Sequence, residues 1–126
     1  MASIHNHRTT LGEQGEQLAA ELLTAHGLQI VARNWRLSSG AVRGELDIVA
    51  LDHDQAQVVV CEVKTRRDRA FGGPLAAVTP QKQAKLRQLA LAFVSEAELP
   101  YYRIRFDVVG IIWGSPPEVL HLEGAF

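Results

Sequence analysis

The chain reads as a mixed α/β domain, a β-sheet flanked by helices in the order α-β-β-β-α-β-β. Three observations predict it. Two segments have helical apolar spacing, residues 11–23 and the stretch opened by Thr79-Pro80. Two apolar runs, Gly44-Glu45-Leu46-Asp47-Ile48-Val49-Ala50 and Val58-Val59-Val60-Cys61-Glu62-Val63-Lys64, flank a polar turn. A late β-rich stretch then covers residues 102–112. Strand pairs interrupted by helices give a mixed sheet with helices on its faces.

Each element has a local cause. Thr9 or Thr10 can cap the first helix, whose apolar positions Leu11, Leu18, Leu22 and Ala25 recur at helical spacing. It should end near His26-Gly27, with glycine as the stop. Residues 28–35 read as the first strand. Asp52-His53-Asp54-Gln55-Ala56-Gln57 is polar and turn-like, so the two apolar runs can pair as an antiparallel hairpin. Phe71-Gly72-Gly73-Pro74 marks a loop. Thr79 suits an N-cap and Pro80 the first helical position, ahead of an apolar face of Leu86, Leu89, Ala90, Phe93 and Val94. After Leu99-Pro100 come residues 102–112, Pro116-Pro117 interrupts them, and residues 119–122 add an edge strand. There is no internal repeat, low-complexity tract or interdomain linker.

Composition fits one domain over residues 1–126. With 126 residues and 47% hydrophobic content the chain can bury one core. No apolar run approaches the roughly 18 residues of a membrane span. Residues 1–8 are polar, lack the apolar stretch of a signal peptide, and are expected to be disordered. A single cysteine, Cys61, precludes an internal disulfide and agrees with a reducing, cytoplasmic setting. It should pack as a small apolar residue.

The chemistry lies in charges placed inside the apolar runs. Burying an unpaired charge in a strand is costly, yet Asp47, Glu62 and Lys64 stand there. A turn centred between Asp54 and Gln55 sets Asp47 opposite Glu62, with Cβ atoms roughly 4.5–5.5 Å apart. Glu62 and Lys64 then share a face, roughly 6.5–7 Å apart, while Val63 points away. Two carboxylates forced together, with an ammonium one step along, suit Mg²⁺ or Mn²⁺ bound against a phosphodiester. Glu45 shares the alternation of Asp47 and reads equally as an alternate ligand or a solvated charge. His5, His7, His26, His53 and His121 lack metal-ligand spacing and read as non-ligands. Nucleotide-cofactor glycine motifs and the serine-hydrolase elbow are absent from the sequence.

Net charge is −1, but unevenly spread. Residues 62–87 hold Lys64, Arg66, Arg67, Arg69, Lys82, Lys85 and Arg87 against Glu62 and Asp68. Such a concentration marks a phosphate-facing patch, with Arg66, Arg67, Lys82 and Lys85 as candidate nucleic-acid contacts.

Asp47 followed by Glu62-Val63-Lys64 resembles the PD-(D/E)xK nuclease core of restriction enzymes and archaeal Holliday-junction resolvases. The wider ordered set is similar to the YraN-like family of small bacterial proteins regarded as nucleases. It comprises Gly12-Glu13-Gln14-Gly15-Glu16 with Ala19 and Leu22-Leu23, Arg33-Asn34-Trp35-Arg36, and Gly44-Glu45-Leu46-Asp47-Ile48-Val49. Val60-Cys61-Glu62-Val63-Lys64-Thr65-Arg66, Phe71-Gly72, and Ala77-Val78-Thr79-Pro80 with Lys82 complete it. Ala76 departs from an expected Glu, and Leu46 from a frequent Pro. The resemblance implies a restriction-endonuclease-like fold and a metal-dependent endonuclease acting on structured or branched DNA. It implies Asp47, Glu62 and Glu16 as metal-holding acids and Lys64 as the catalytic ammonium. Cutting a junction on two strands would require a homodimer. The alternative is a non-catalytic nucleic-acid- or partner-binding module with a vestigial site.

Overall fold

A computed structural model of the chain describes residues 10–37, 40, 42–68 and 74–126; the expectations for residues 1–8 and 71–73 lie outside these. The described elements are α1 (Leu11–Ala25), β1 (Gln29–Leu37), β2 (Gly44–Asp52), β3 (Gln57–Arg66), a 3-10 turn (Pro74–Ala77), α2 (Pro80–Glu96), β4 (Ile104–Ile112) and β5 (Glu118–Leu122). This is the expected order, with the 3-10 turn added ahead of α2.

The helix ends are fixed by side chains. Thr10 Oγ1 accepts from the Glu13 N–H at 3.1 Å and Glu13 Oε1 accepts from the Thr10 N–H at 3.0 Å, a reciprocal cap. At the other end Gly27 takes φ 88°, left-handed, which stops the helix as the sequence predicts. Thr79 Oγ1 accepts from the Lys82 N–H at 3.2 Å, and Pro80 opens α2.

Among the described residues the strands form one sheet in the order β1-β2-β3-β4-β5. All neighbours are antiparallel except β3 and β4, which run parallel with α2 as the crossover. The β2–β3 ladder pairs Ile48 with Cys61 and continues to Asp52 with Gln57, the register inferred from the turn. Asp52 Oδ1 accepts from the Gln55 N–H at 3.0 Å and pins that turn.

Two cores cover opposite faces of the sheet. Leu86, Leu89, Ala90 and Phe93 of α2 pack on Leu46, Val49, Leu51, Val58, Val60, Phe106 and Val108. Ala19, Ala20 and Leu23 of α1 pack on Ile48, Ala50, Val59, Cys61, Val109 and Ile111. Burial on both sides explains why β2 and β3 read as continuous apolar runs rather than as alternation. Among the described residues no helix is long and apolar enough to cross a membrane.

Candidate functional site

Alternation along β3 sets its charges. Val60 faces α2 and Cys61 faces α1, so Glu62 and Lys64 return to the α2 side while Val63 packs against the α1-side core. The Glu62 side chain is only 5% exposed, yet its Oε2 lies 3.4 Å from Lys64 Nζ and 3.1 Å from Lys82 Nζ on α2. The buried charge is thus matched from its own strand and from the helix above it.

The regular β2–β3 ladder ends at Ile48 and Cys61, and Asp47 stands one step beyond. Its Oδ2 accepts from the Val63 N–H at 2.9 Å, so a side chain replaces the missing ladder carbonyl. Burial, and then the neighbouring Glu62 charge, push the Asp47 carboxyl up to about 8. One hydrogen bond from Val63 does not offset those two effects.

Asp47 also marks a break in β2. Leu46 and Val49 both face α2 while Ile48 faces α1, so strict alternation fails between positions 46 and 48. The same break occurs on β1, where the pairs Arg33↔Ile48 and Trp35↔Leu46 enclose Asn34. Asn34 has φ 51°, a left-handed conformation that asparagine tolerates better than most residues. This paired break brings acids from the α1 side close to Asp47. Glu16 of α1, Glu45 and Asp47 each offer a carboxylate oxygen within 4.8 Å of the others. With its NH₂ turned to the acids, Asn34 donates to Glu16 Oε1 at 2.7 Å and Glu45 Oε1 at 3.1 Å. Arg36 Nε holds the other Glu45 oxygen at 2.9 Å. Burial and the Glu45 charge raise the Glu16 carboxyl above its ordinary value, while Asn34 lowers it.

Glu16 reaches this cluster because α1 lies close on β3. A Cβ at Gly15 would overlap Thr65 Oγ1 and crowd Ile111, so only glycine allows this approach. The resulting cleft, about 410 Å³, is lined by Glu16, Asp47, Glu62 and Lys64, and its rim carries Arg66, Arg67 and Lys82.

The structure therefore gathers Glu16, Asp47, Glu62, Lys64, Arg66, Arg67 and Lys82, all singled out in the sequence. Lys85 is absent from the cleft lining; its stem lies over Gly44. Glu45 joins the compact acidic group, whereas Glu62 stands beside it on two lysines. Ala76 is exposed on the 3-10 turn. Sequence reasoning passed over Asn34 as a functional residue. Its signal was an asparagine, disfavoured in strands, between strand-compatible Arg33 and Trp35. The donor set suits a hard divalent cation, since carboxylate oxygens are its preferred ligands. The raised Asp47 and Glu16 carboxyls mark a negative charge that such a cation would compensate.

Comparison with known proteins points to one family. Residues 15–111 match the model of the uncharacterised protein family UPF0102. The chain is 46% identical to a UPF0102 protein of Acidothermus cellulolyticus over the whole of both chains. It is 44% identical to one of Nocardia farcinica, covering 94% of this chain and 91% of the relative. With one of Rhodococcus opacus it shares 42% identity over 95% and 98% of the two chains.

Proposed function

We propose, for a chain that belongs to the uncharacterised protein family UPF0102, the function of a metal-dependent nuclease hydrolysing phosphodiester bonds of structured or branched DNA. The observation that carries this reading is the convergence of Glu16, Asp47 and Glu62 with Lys64 in a cleft that Arg66, Arg67 and Lys82 also line, with Glu45 grouped beside Glu16 and Asp47. The YraN-like and PD-(D/E)xK resemblance of the same residues supports it. A cytoplasmic setting, and a homodimer for two-strand cutting, belong to the same proposal.

Asp47, Glu16 and Glu45 would hold Mg²⁺ or Mn²⁺, with Glu62 beside them. Such a cation polarises a phosphoryl oxygen and lowers the pKa of a bound water. The chain's own part is positioning and charge. Lys64 is tethered by Glu62 at the cleft wall, where its ammonium can face a phosphate and offset charge that builds on it. Arg66 and Arg67, at the end of β3, would hold the backbone on either side of the scissile bond. Asn34 keeps two like-charged acids together by giving each a hydrogen.

Junction, flap and linear DNA incubated with Mg²⁺ or Mn²⁺ test this reading. Cleavage is expected, and Lys64→Ala is expected to abolish it while leaving Mn²⁺ binding measurable. The engagement of Glu62 by two lysines favours a second reading, a nucleic-acid-binding module whose acids have become structural. Tight metal-independent binding, with no cutting of any DNA or RNA form, would select that reading instead.

A further inference from the structure

On the α1 side of the sheet two histidines meet nitrogen to nitrogen. His26 caps the C-terminus of α1, and His121 lies on β5 opposite Val109. Their Nδ1 atoms are 3.3 Å apart. The ring planes differ by 16° and the centroids are 5.4 Å apart, too far for face-to-face contact, so the rings meet edge to edge. His121 Nε2 lies 2.8 Å from Asp107 Oδ2. Asp107 is fully buried and also accepts from Arg105 Nε at 2.9 Å, Arg105 Nη2 at 3.0 Å and the Gly124 N–H at 3.0 Å.

This network fixes the chemistry of His121. A carboxylate held by arginine acts as acceptor, so His121 Nε2 donates to Asp107 and Nδ1 is the ring nitrogen left facing His26. A carboxylate behind one imidazole nitrogen with the other nitrogen free is the usual arrangement of a metal-ligating histidine. Two Zn–N bonds of about 2.0–2.1 Å meeting at a tetrahedral angle span roughly 3.3–3.4 Å, the separation found here. The last turn of α1 contains no basic residue, so the negative end of its dipole has no cation of its own.

We propose that His26 Nδ1 and His121 Nδ1 bind one Zn²⁺, with Asp107 orienting His121 and solvent completing the tetrahedron. The site clamps the end of α1 to the edge strand β5. Imidazole donors favour Zn²⁺, Ni²⁺ or Cu²⁺, whereas the carboxylate cleft favours Mg²⁺ or Mn²⁺, so the two sites select different ions.

Calorimetric titration of ZnCl₂ into the full chain, with excess Mg²⁺ present to hold the acidic cleft, tests the proposal. One Zn²⁺ per chain is expected. His26 is exposed, so His26→Ala should fold as wild type, which circular dichroism checks; His121→Ala is avoided because it strands buried Asp107. The expected outcome is a loss of Zn²⁺ affinity on the order of tenfold or more in His26→Ala. Glu16→Gln should bind Zn²⁺ as wild type does. Zn²⁺ should raise the thermal midpoint of wild type and not of His26→Ala. Equal affinity in His26→Ala, or no Zn²⁺ binding by wild type, would overturn it, the latter leaving an N–H···N hydrogen bond. Loss in Glu16→Gln with retention in His26→Ala would place the ion in the acidic cleft and overturn it too. So would a doubling of mass on adding Zn²⁺, since the ligands would then come from two chains.

Discussion

Asp47 is buried beside Glu62 and holds its proton to about pH 8, far above the ordinary value of 3.8. Between those values the folded chain binds a proton that the unfolded chain has released. Stability at this group therefore falls as pH rises through the window from about 4 to about 8. In EDTA the thermal midpoint should decline across that window, and Asp47→Asn should flatten the decline. At pH 8 the same variant should be more stable than wild type by roughly 1 kcal/mol or more, because each tenfold change in proton affinity between folded and unfolded chain is worth about 1.4 kcal/mol. A variant with the wild-type slope would mean that Asp47 ionises freely in the folded chain. Asn34 carries a second prediction, because its backbone and its amide can be separated. Asn34→Gly accommodates φ 51° but removes the amide that bridges Glu16 and Glu45. Mn²⁺ affinity should then fall on the order of tenfold with little change in stability, the cost typical of losing a group that orients metal ligands. Asn34→Ala should add a loss of about 1 kcal/mol for the strained backbone. Undiminished Mn²⁺ binding in Asn34→Gly would reduce the role of the residue to its backbone. Asp47, Glu62 and Lys64 were legible in the sequence because charges inside apolar runs demand a reason. Glu45 was legible as an alternate ligand beside Asp47, but the way it joins Glu16 was not, because strict alternation was extrapolated through the position where it breaks.

At the scale of elements, the site depends on how closely α1 lies on β3. Gly15 faces Thr65, and an added methyl would overlap Thr65 Oγ1 while standing 3.3 Å from Ile111 Cδ1. Gly15→Ala should therefore push α1 away and destabilise the chain by about 1–3 kcal/mol, the usual range for overpacking. It should also weaken Mn²⁺ binding, since Glu16 rides on the same turn. Thr65→Ala removes the clashing oxygen, so the double variant should recover most of both losses. Denaturant unfolding of the two single variants and the double closes the cycle, and strict additivity would mean that the two residues do not meet. The caps of both helices and the β2–β3 register could be read ahead because they rest on local chemistry: a threonine at 9 or 10, Thr79 with Pro80, and a polar turn centred between Asp54 and Gln55. The structure adds Glu13 as the partner of Thr10 and Asp52 as the residue that pins the turn. The parallel pairing of β3 with β4 rests instead on a contact across the whole of α2, which no local pattern encodes. The approach of α1 was half legible, since Gly15 beside Glu16 signalled a close contact without naming Thr65.

Across the whole molecule a net charge of −1 conceals an uneven surface. The described basic residues of positions 62–87 divide by use once folded, Arg69 lying outside the described residues. Arg87 stacks over the rings of Phe106 and Phe126, at 5.1 and 5.4 Å, and serves packing. Lys64 and Lys82 neutralise Glu62. Arg66 and Arg67 line the cleft from the end of β3, and neither is needed to cover the buried acid, so they are the cations best placed for phosphate. Composition alone could not make this division, because these cations look alike until α2 folds over the sheet. Each phosphate contact to duplex DNA contributes about 0.9 to the slope of log affinity against log salt. Replacing Arg66 and Arg67 together with Ala should therefore flatten that slope by nearly two and weaken binding uniformly across sequences. Lys85→Ala, over Gly44 and away from the cleft lining, should leave the slope nearly unchanged. Fluorescence anisotropy over a salt series, in Ca²⁺ to hold the acidic cleft without cleavage, measures both. A full slope in the double variant would move the DNA out of the cleft, and a slope lost in Lys85→Ala instead would place it over Lys85 and Gly44; either would leave the acids without their substrate.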